Sequence, residues 1–516
     1  MAMNRRISVY KPLCLTTGLA VATFALGSLA LGQALPQSTP SQAKSPATTS
    51  AYSNLPDMGS GANAIISRAD EYQIGRMILS NLRDENQVLE DPEATEYLQD
   101  LGGRIGSEAQ DGTQKFTFFV VRDQGVNAFA VPGGYIGANI GLVLLTSSES
   151  ELAGVLAHEI GHVVQRHIAR AVQAQSRQSL STMAAMLGAI LIGVAGGGDA
   201  AAGLIAVAQG TAMQQQINFT RMEESEADRV GITFLADANF DPNGMASFFS
   251  AMGRVEGVQL YTIPDMLKSH PVTTLRIAEA RARASQLPHR PSRQDGPSYA
   301  LIRERLRVLS AEPETDLRPY YARLRANGVN TLAVRYGAAL ASLKADDALA
   351  AVEALEPLVE ANPGVTILHS ALGQAQLLAG QQDKALATFA RAIALYPRNV
   401  PLTVRYAETL MKADRPAQAH QLLLDLFNNT TPTPDHIRLT ALAASSAGDT
   451  GDAYYYMAEY HIASGNLMLG TQQLDLALTE PRLTDVQRKR FLARRDEIRG
   501  YLREQRQQRA QGGSSR

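Results

Sequence analysis

The chain has 516 residues, 45% of them hydrophobic and 19% charged, a composition that argues against wholesale disorder. That length exceeds what one hydrophobic core organises, so two or more domains are expected. A net charge of -2 offers no concentrated positive surface, which argues against a nucleic-acid partner.

Arg5, Arg6 and Lys11 precede an apolar run from Leu13 to Leu31, and no further charge appears until Lys44. A basic head, an apolar stretch and small residues at its exit (Gly32-Gln33-Ala34) form an export signal, so residues 1–34 are expected to be removed on export. A retained anchor is the alternative, because the run approaches bilayer-spanning length. Cys14 is the only cysteine and lies in that signal, so the mature chain would carry no disulfide. Residues 35–62, rich in Pro, Ser, Thr, Ala and Gly, read as a flexible linker.

Ala64 to Arg83 reads as a helix, and Asp91-Pro92-Glu93 opens another to about Glu108, with Pro92 in the first turn where its missing N–H costs nothing. Lys115–Arg122 and Val126–Val131 read as short strands, and Pro132-Gly133-Gly134 turns the chain before Tyr135-Ile136. Ser148 with Glu151 is a capping-box pattern opening a helix that continues to Arg170, with Leu152, Val155, Leu156, Ile160 and Val163 on its buried side. The apolar segment 183–210, broken at Gly196-Gly197-Gly198-Asp199, is too short in either arm to span a bilayer. It is expected to fold as a helical hairpin on the protein's own body; a flap near the cleft or a membrane-facing surface, with peripheral membrane association, is the alternative. Helices follow at Glu223–Ala236, from Asp241-Pro242 to about Val255, and from Thr273 to Ser285, after which Pro288, Pro291 and Pro297 mark a linker.

Beyond the linker the pattern is Ala/Leu-rich helical pairs. In the window opening at Thr366, Leu372, Gly373, Ala385, Phe389, Ala392 and Pro397 fall at tetratricopeptide-repeat offsets, where small residues let two antiparallel helices approach and large ones fill the seam. Neighbouring windows repeat it in part and it loosens around Asp435–Tyr455, so roughly four helix pairs are expected, one irregular. The expected organisation is a domain with a small sheet at 63–290, repeats at 298–502 and a flexible tail at 503–516.

His158-Glu159-Ile160-Gly161-His162 places two imidazoles one helical turn apart, where both can grip one ion, and sets Glu159 beside it as a base for water. A third ligand is sought among the acids of Glu224-Ser225-Glu226-Ala227-Asp228 on a later helix; spacing alone does not separate Glu224 from Glu223 or Glu226. Glu224 and Asp228 share a face, so one can bind the metal while the other receives a ligand imidazole's outer N–H. His167, five residues after His162, is expected to turn off the ligand face into solvent.

Asn127-Ala128-Phe129-Ala130 with Pro132-Gly133-Gly134, the His158–His162 motif and the Glu224–Asp228 motif together resemble the zinc metallopeptidase family that contains HtpX and the CAAX prenyl proteases. An export signal and C-terminal repeats make the chain most similar to the exported branch that assists outer-membrane β-barrel assembly. The resemblance implies a mostly α structure, a zincin-like α+β domain with a small sheet followed by helical repeats. It implies one Zn2+ held by His158, His162 and Glu224, with Glu159 as base, Asp228 as the orienting carboxylate and His270, in Ser269-His270-Pro271, as a regulatory ligand that holds the enzyme off. It implies a periplasmic endopeptidase acting on misfolded or stalled exported polypeptides, with the repeats meeting assembly machinery. The alternative is a chaperone or scaffold with a latent protease site.

Overall fold

The computed structural model describes residues 67–109, 114–175, 221–258, 265–288 and 295–513. The expectations for the export signal, the linker and the segment 183–210 fall outside them. The protein is mostly α-helical, with one three-stranded sheet followed by a helical repeat region.

Helices α1 (Arg68–Asp84) and α2 (Pro92–Glu108) come first, and the Asp91 carboxylate caps α2 by accepting from Ala94 N at 3.0 Å. Strands β1 (Thr117–Val121), β2 (Ala128–Val131) and β3 (Tyr135–Asn139) follow in spatial order β1-β3-β2, with β1 parallel and β2 antiparallel to β3. Gly133 and Gly134, at φ +83° and +85°, supply the backbone that the β2–β3 turn requires. The short helix α3 (Ile140–Leu145) leads into α4 (Glu149–Val164), which carries the two motif histidines and is buried almost throughout. Ser148 Oγ accepts from Glu151 N at 3.2 Å, but the Glu151 side chain accepts from Ser147 N rather than closing the box on Ser148.

The continuous helix expected to Arg170 is instead two. Arg166 takes a left-handed conformation, φ +52°, and the chain restarts as α5 (His167–Gln175). The buried Arg166 guanidinium meets Glu71 Oε1 of α1 at 3.2 Å, which pins this kink to the domain.

Helices α6 (Arg221–Asp237) and α7 (Asn243–Val258) cover α4. A Cβ at Gly161 would lie 2.9 Å from Ala227 O, so glycine lets α6 touch α4 backbone to backbone. That approach brings the acids of α6 to the motif histidines. The short α8 (Asp265–Ser269) and α9 (Thr274–Gln286) complete the domain.

Helix α10 (Pro297–Ser310) joins the two halves: Tyr299, Ile302 and Leu306 belong to the core beneath the sheet and α4, while Leu301 and Val308 belong to the core of the repeats. The repeat window Thr366–Pro397 is the pair Thr366–Leu378 and Gln382–Leu395, with Gly373 against the Phe389 ring, as expected. Where the pattern loosens, Pro434–Ser446 and Thr450–Ala463 still form an ordinary pair; His436 stacked on Phe427 (5.9 Å) replaces part of the usual seam. The last helix, Asp485–Gly513, continues through most of the segment expected to be a loose tail, because Gln, Arg and Glu are good helix formers.

Asp91 and Glu93 at the start of α2 meet Arg305 of α10 and Arg405 of the repeats in one buried cluster. Nearby, the carboxyls of Glu90 and Asp435 approach one another. Burial and the neighbouring Asp435 carboxyl push Glu90 from 4.5 up to about 7, against the pull of Arg83 at 2.8 Å. A carboxyl raised by folding stabilises the folded state fully below its ordinary value, and the contribution is lost as pH rises through about 7. Melting temperature is therefore expected to fall between pH 5 and pH 7.5, with a shallower fall in Glu90→Gln. Equal falls in the two proteins would refute this source, although the effect is modest for a side chain 34% exposed.

Candidate metal centre

Four side chains from three elements converge behind α4: His158 and His162 from α4, Glu224 from α6 and His270 just after α8, all of them buried. His158 Nε2 lies 3.1 Å from His162 Nε2, 3.5 Å from Glu224 Oε2 and 3.3 Å from His270 Nδ1. His162 Nε2 lies 3.4 Å from Glu224 Oε1, which is 2.8 Å from His270 Nδ1. Donors about 2.0–2.1 Å from a tetrahedral zinc are separated by about 3.3 Å, and most of these distances cluster there. Three neutralisable nitrogens and one carboxylate are also the donor chemistry that zinc prefers, so the residues fit the ion.

The electrostatics follow from packing acids against imidazoles. Burial opposes charge on His158, but the Asp228 and Glu224 carboxylates raise it to about 10. Burial would raise Glu224, yet the charge of His270 and hydrogen bonds from His158 and His162 hold it far below the usual carboxylate range. His162 is driven well down, chiefly by burial. Glu159 is 1% exposed, and burial raises its carboxyl while His270, His158 and the Ala130 backbone N–H pull it back.

The six residues named from sequence thus lie together. His158 Nδ1 is 2.9 Å from Asp228 Oδ1, and His270 Nε2 is 3.8 Å from Glu159 Oε1. Glu223 is not in the four-residue cluster, and Glu226 turns the other way, toward His167. His167 itself is a correction: it is fully buried, with Nδ1 2.7 Å from His162 Nδ1 and Nε2 3.1 Å from Glu226 Oε2. In an uninterrupted helix it would lie about 140° around from His162; the left-handed turn at Arg166 swings it back beneath that ring.

Arg276 of α9 was not signalled by any spacing. Its Nε and Nη2 each donate to Asp228 at 2.8 Å, Nη1 lies 2.7 Å from Glu224 Oε2, and the guanidinium stacks over Phe249 at 4.7 Å. One buried cation therefore holds the Glu224 and Asp228 carboxylates of α6 in place. A second cluster, His420, Asp449 and Asp452, lies in the repeats. There Gln487 donates to both acids, Arg490 to Asp452 and Asp449 caps its helix, so protein donors already satisfy the carboxylates.

A helix with the His-Glu-x-x-His motif, a glutamate from a later helix and a following array of helical pairs define a metallopeptidase fused to protein-binding repeats. The sequence profile of Peptidase family M48 matches residues 92–284, and a Tetratricopeptide repeat profile matches residues 376–444. Over 449 residues the chain is 34% identical to the putative beta-barrel assembly-enhancing protease of Vibrio cholerae, covering 86% of this chain and 92% of that one. It is 31% identical to the beta-barrel assembly-enhancing protease of Yersinia pestis, covering 86% and 91%, and 30% identical to that of Escherichia coli K12, covering 88% and 93%. The chain belongs to peptidase family M48 and, within it, to the beta-barrel assembly-enhancing proteases. Among the described residues no helix is long and apolar enough to cross a membrane.

Proposed function

We propose that the protein is a periplasmic zinc endopeptidase that cleaves stalled or misfolded outer-membrane β-barrel components, with His158, His162 and Glu224 as metal ligands. The near-tetrahedral spacing of their donor atoms carries this reading. Zinc bound there supplies Lewis-acid polarisation of water and of the scissile carbonyl. Glu159 takes a proton from the attacking water and returns it to the leaving amine nitrogen. Asp228 fixes the His158 ring through Nδ1, and Arg276 keeps Asp228 and Glu224 ionised and in register.

Strand β2 is an edge of the sheet, so an extended substrate can add to it by backbone pairing without its sequence being read. His270 occupies the fourth corner of the cluster, the place a water needs for hydrolysis. It acts as a gate that withdraws when substrate arrives. The repeats present substrates or assembly partners, and residues 1–34 direct export and are then removed.

Two variants test the ligand set by metal analysis of the full chain. Glu224→Ala should lose bound zinc and hydrolysis together. His270→Ala should keep zinc and hydrolyse an unfolded polypeptide faster than the wild type. Unchanged zinc in Glu224→Ala overturns the ligand set, and slower hydrolysis in a zinc-loaded His270→Ala overturns the gate.

A further inference from the structure

Each motif histidine points one ring nitrogen at the cluster and the other at a partner. For His158 the partner is Asp228, at 2.9 Å. For His162 it is not a carboxylate but a second imidazole, His167, whose far nitrogen reaches Glu226. Glu226 in turn accepts from Arg170 Nη2 at 2.9 Å. These contacts run in one line from the metal position to the domain surface, where the Glu226 side chain is 24% exposed.

Resting on the ligand set proposed above, the geometry assigns His167 and Glu226 as a positioning relay that fixes the tautomer and orientation of His162. Its direction follows from donor and acceptor chemistry. His162 turns Nε2 toward His158 and Glu224, so that nitrogen must offer its lone pair to the metal. The ring proton is then on Nδ1, which donates across 2.7 Å to His167 Nδ1. An accepting Nδ1 leaves the His167 proton on Nε2, which donates across 3.1 Å to Glu226 Oε2. The reverse order would protonate His162 Nε2 and abolish its donor role. Arg170 keeps the carboxylate at the end of the line ionised, so it accepts strongly.

The backbone is shaped for this contact. A left-handed turn at a non-glycine residue carries a conformational cost, and here Arg166 is held in it by Glu71. Without the turn, His167 would face away from His162 and the ligand's outer N–H would have no imidazole beneath it.

The test uses zinc competition against a chromogenic chelator on the full chain, with thermal melting as a control. His167→Leu keeps bulk but removes the acceptor; it should weaken zinc binding by about 10- to 100-fold, the usual consequence of losing a ligand's hydrogen-bonding partner. His167→Asn places a carbonyl oxygen near the Nδ1 position and should restore most of that affinity, which a packing role would not do. Ring-nitrogen NMR of the zinc-loaded wild type should show His162 protonated on Nδ1 and His167 on Nε2. Wild-type affinity in His167→Leu, or a proton on His167 Nδ1, overturns the relay while leaving the ligand set intact. A wild-type chain that takes up no zinc overturns both.

Discussion

Replacing Glu159 by Gln is expected to lower peptide-bond hydrolysis by about 10²- to 10⁴-fold, the range set by loss of a general base, while the zinc content stays unchanged. The two side chains have the same shape, so packing around a 1% exposed position survives the change. What disappears is the proton acceptor. Burial raises the carboxyl, so it is placed both to receive a proton and to release it to an amine. Gln can hydrogen-bond to water but cannot take its proton. Hydrolysis of an unfolded polypeptide by the zinc-loaded variant within about threefold of the wild type would remove Glu159 from the chemistry.

The same variant separates the two readings of the whole protein. At equal abundance, a chaperone acting through the repeats would still support β-barrel assembly when hydrolysis is gone, whereas a protease that clears stalled chains would not.

The chemistry was legible in the sequence because it is local or chemically marked. Histidines at i and i+4 need only one helix to meet, and the spacing of Ala385, Phe389 and Pro397 needs only two. The proposed third ligand was legible as a residue type but not as a position: three acids of α6 are close in sequence, and only the packing of α6 on Gly161 separates Glu224 from Glu226. His167 was misjudged because a helical wheel assumes an unbroken helix, and the interruption is one residue with positive φ stabilised by Glu71, 95 positions earlier. Arg276 and the four-charge cluster depend on partners 48 and more than 200 positions away, which no periodicity encodes.

That cluster sets the second large expectation: Arg305→Ala should cost about 3–5 kcal/mol, as removing one partner of a buried ionic group does. Arg305 is 3% exposed and donates to Asp91 Oδ1 and Oδ2 at 2.7 Å each and to Glu93 Oε2 at 2.9 Å. Arg405 also meets both acids, with Nη2 3.0 Å from each. Two guanidiniums thus balance two carboxylates, and burial, which alone would raise Glu93, is overcome so that its carboxyl is held far below the ordinary range. Truncating Arg305 leaves two buried carboxylates to share one cation, and it also unties Tyr336 of the repeats, whose hydroxyl lies 3.2 Å from Nη1. The loss falls on the junction rather than on either core. Asp91 and Glu93 belong to the cap and first turn of α2, Arg305 to the bridging helix and Arg405 to the repeats. A calorimetric scan of Arg305→Ala should therefore resolve separate unfolding of the peptidase and repeat regions at lower temperature. Arg323→Ala, at an exposed position of the helix Arg318–Ala326, should melt like the wild type. If Arg305→Ala melts no earlier than Arg323→Ala, the four charges do not hold the two regions together, and their junction rests on the apolar faces of α10 alone.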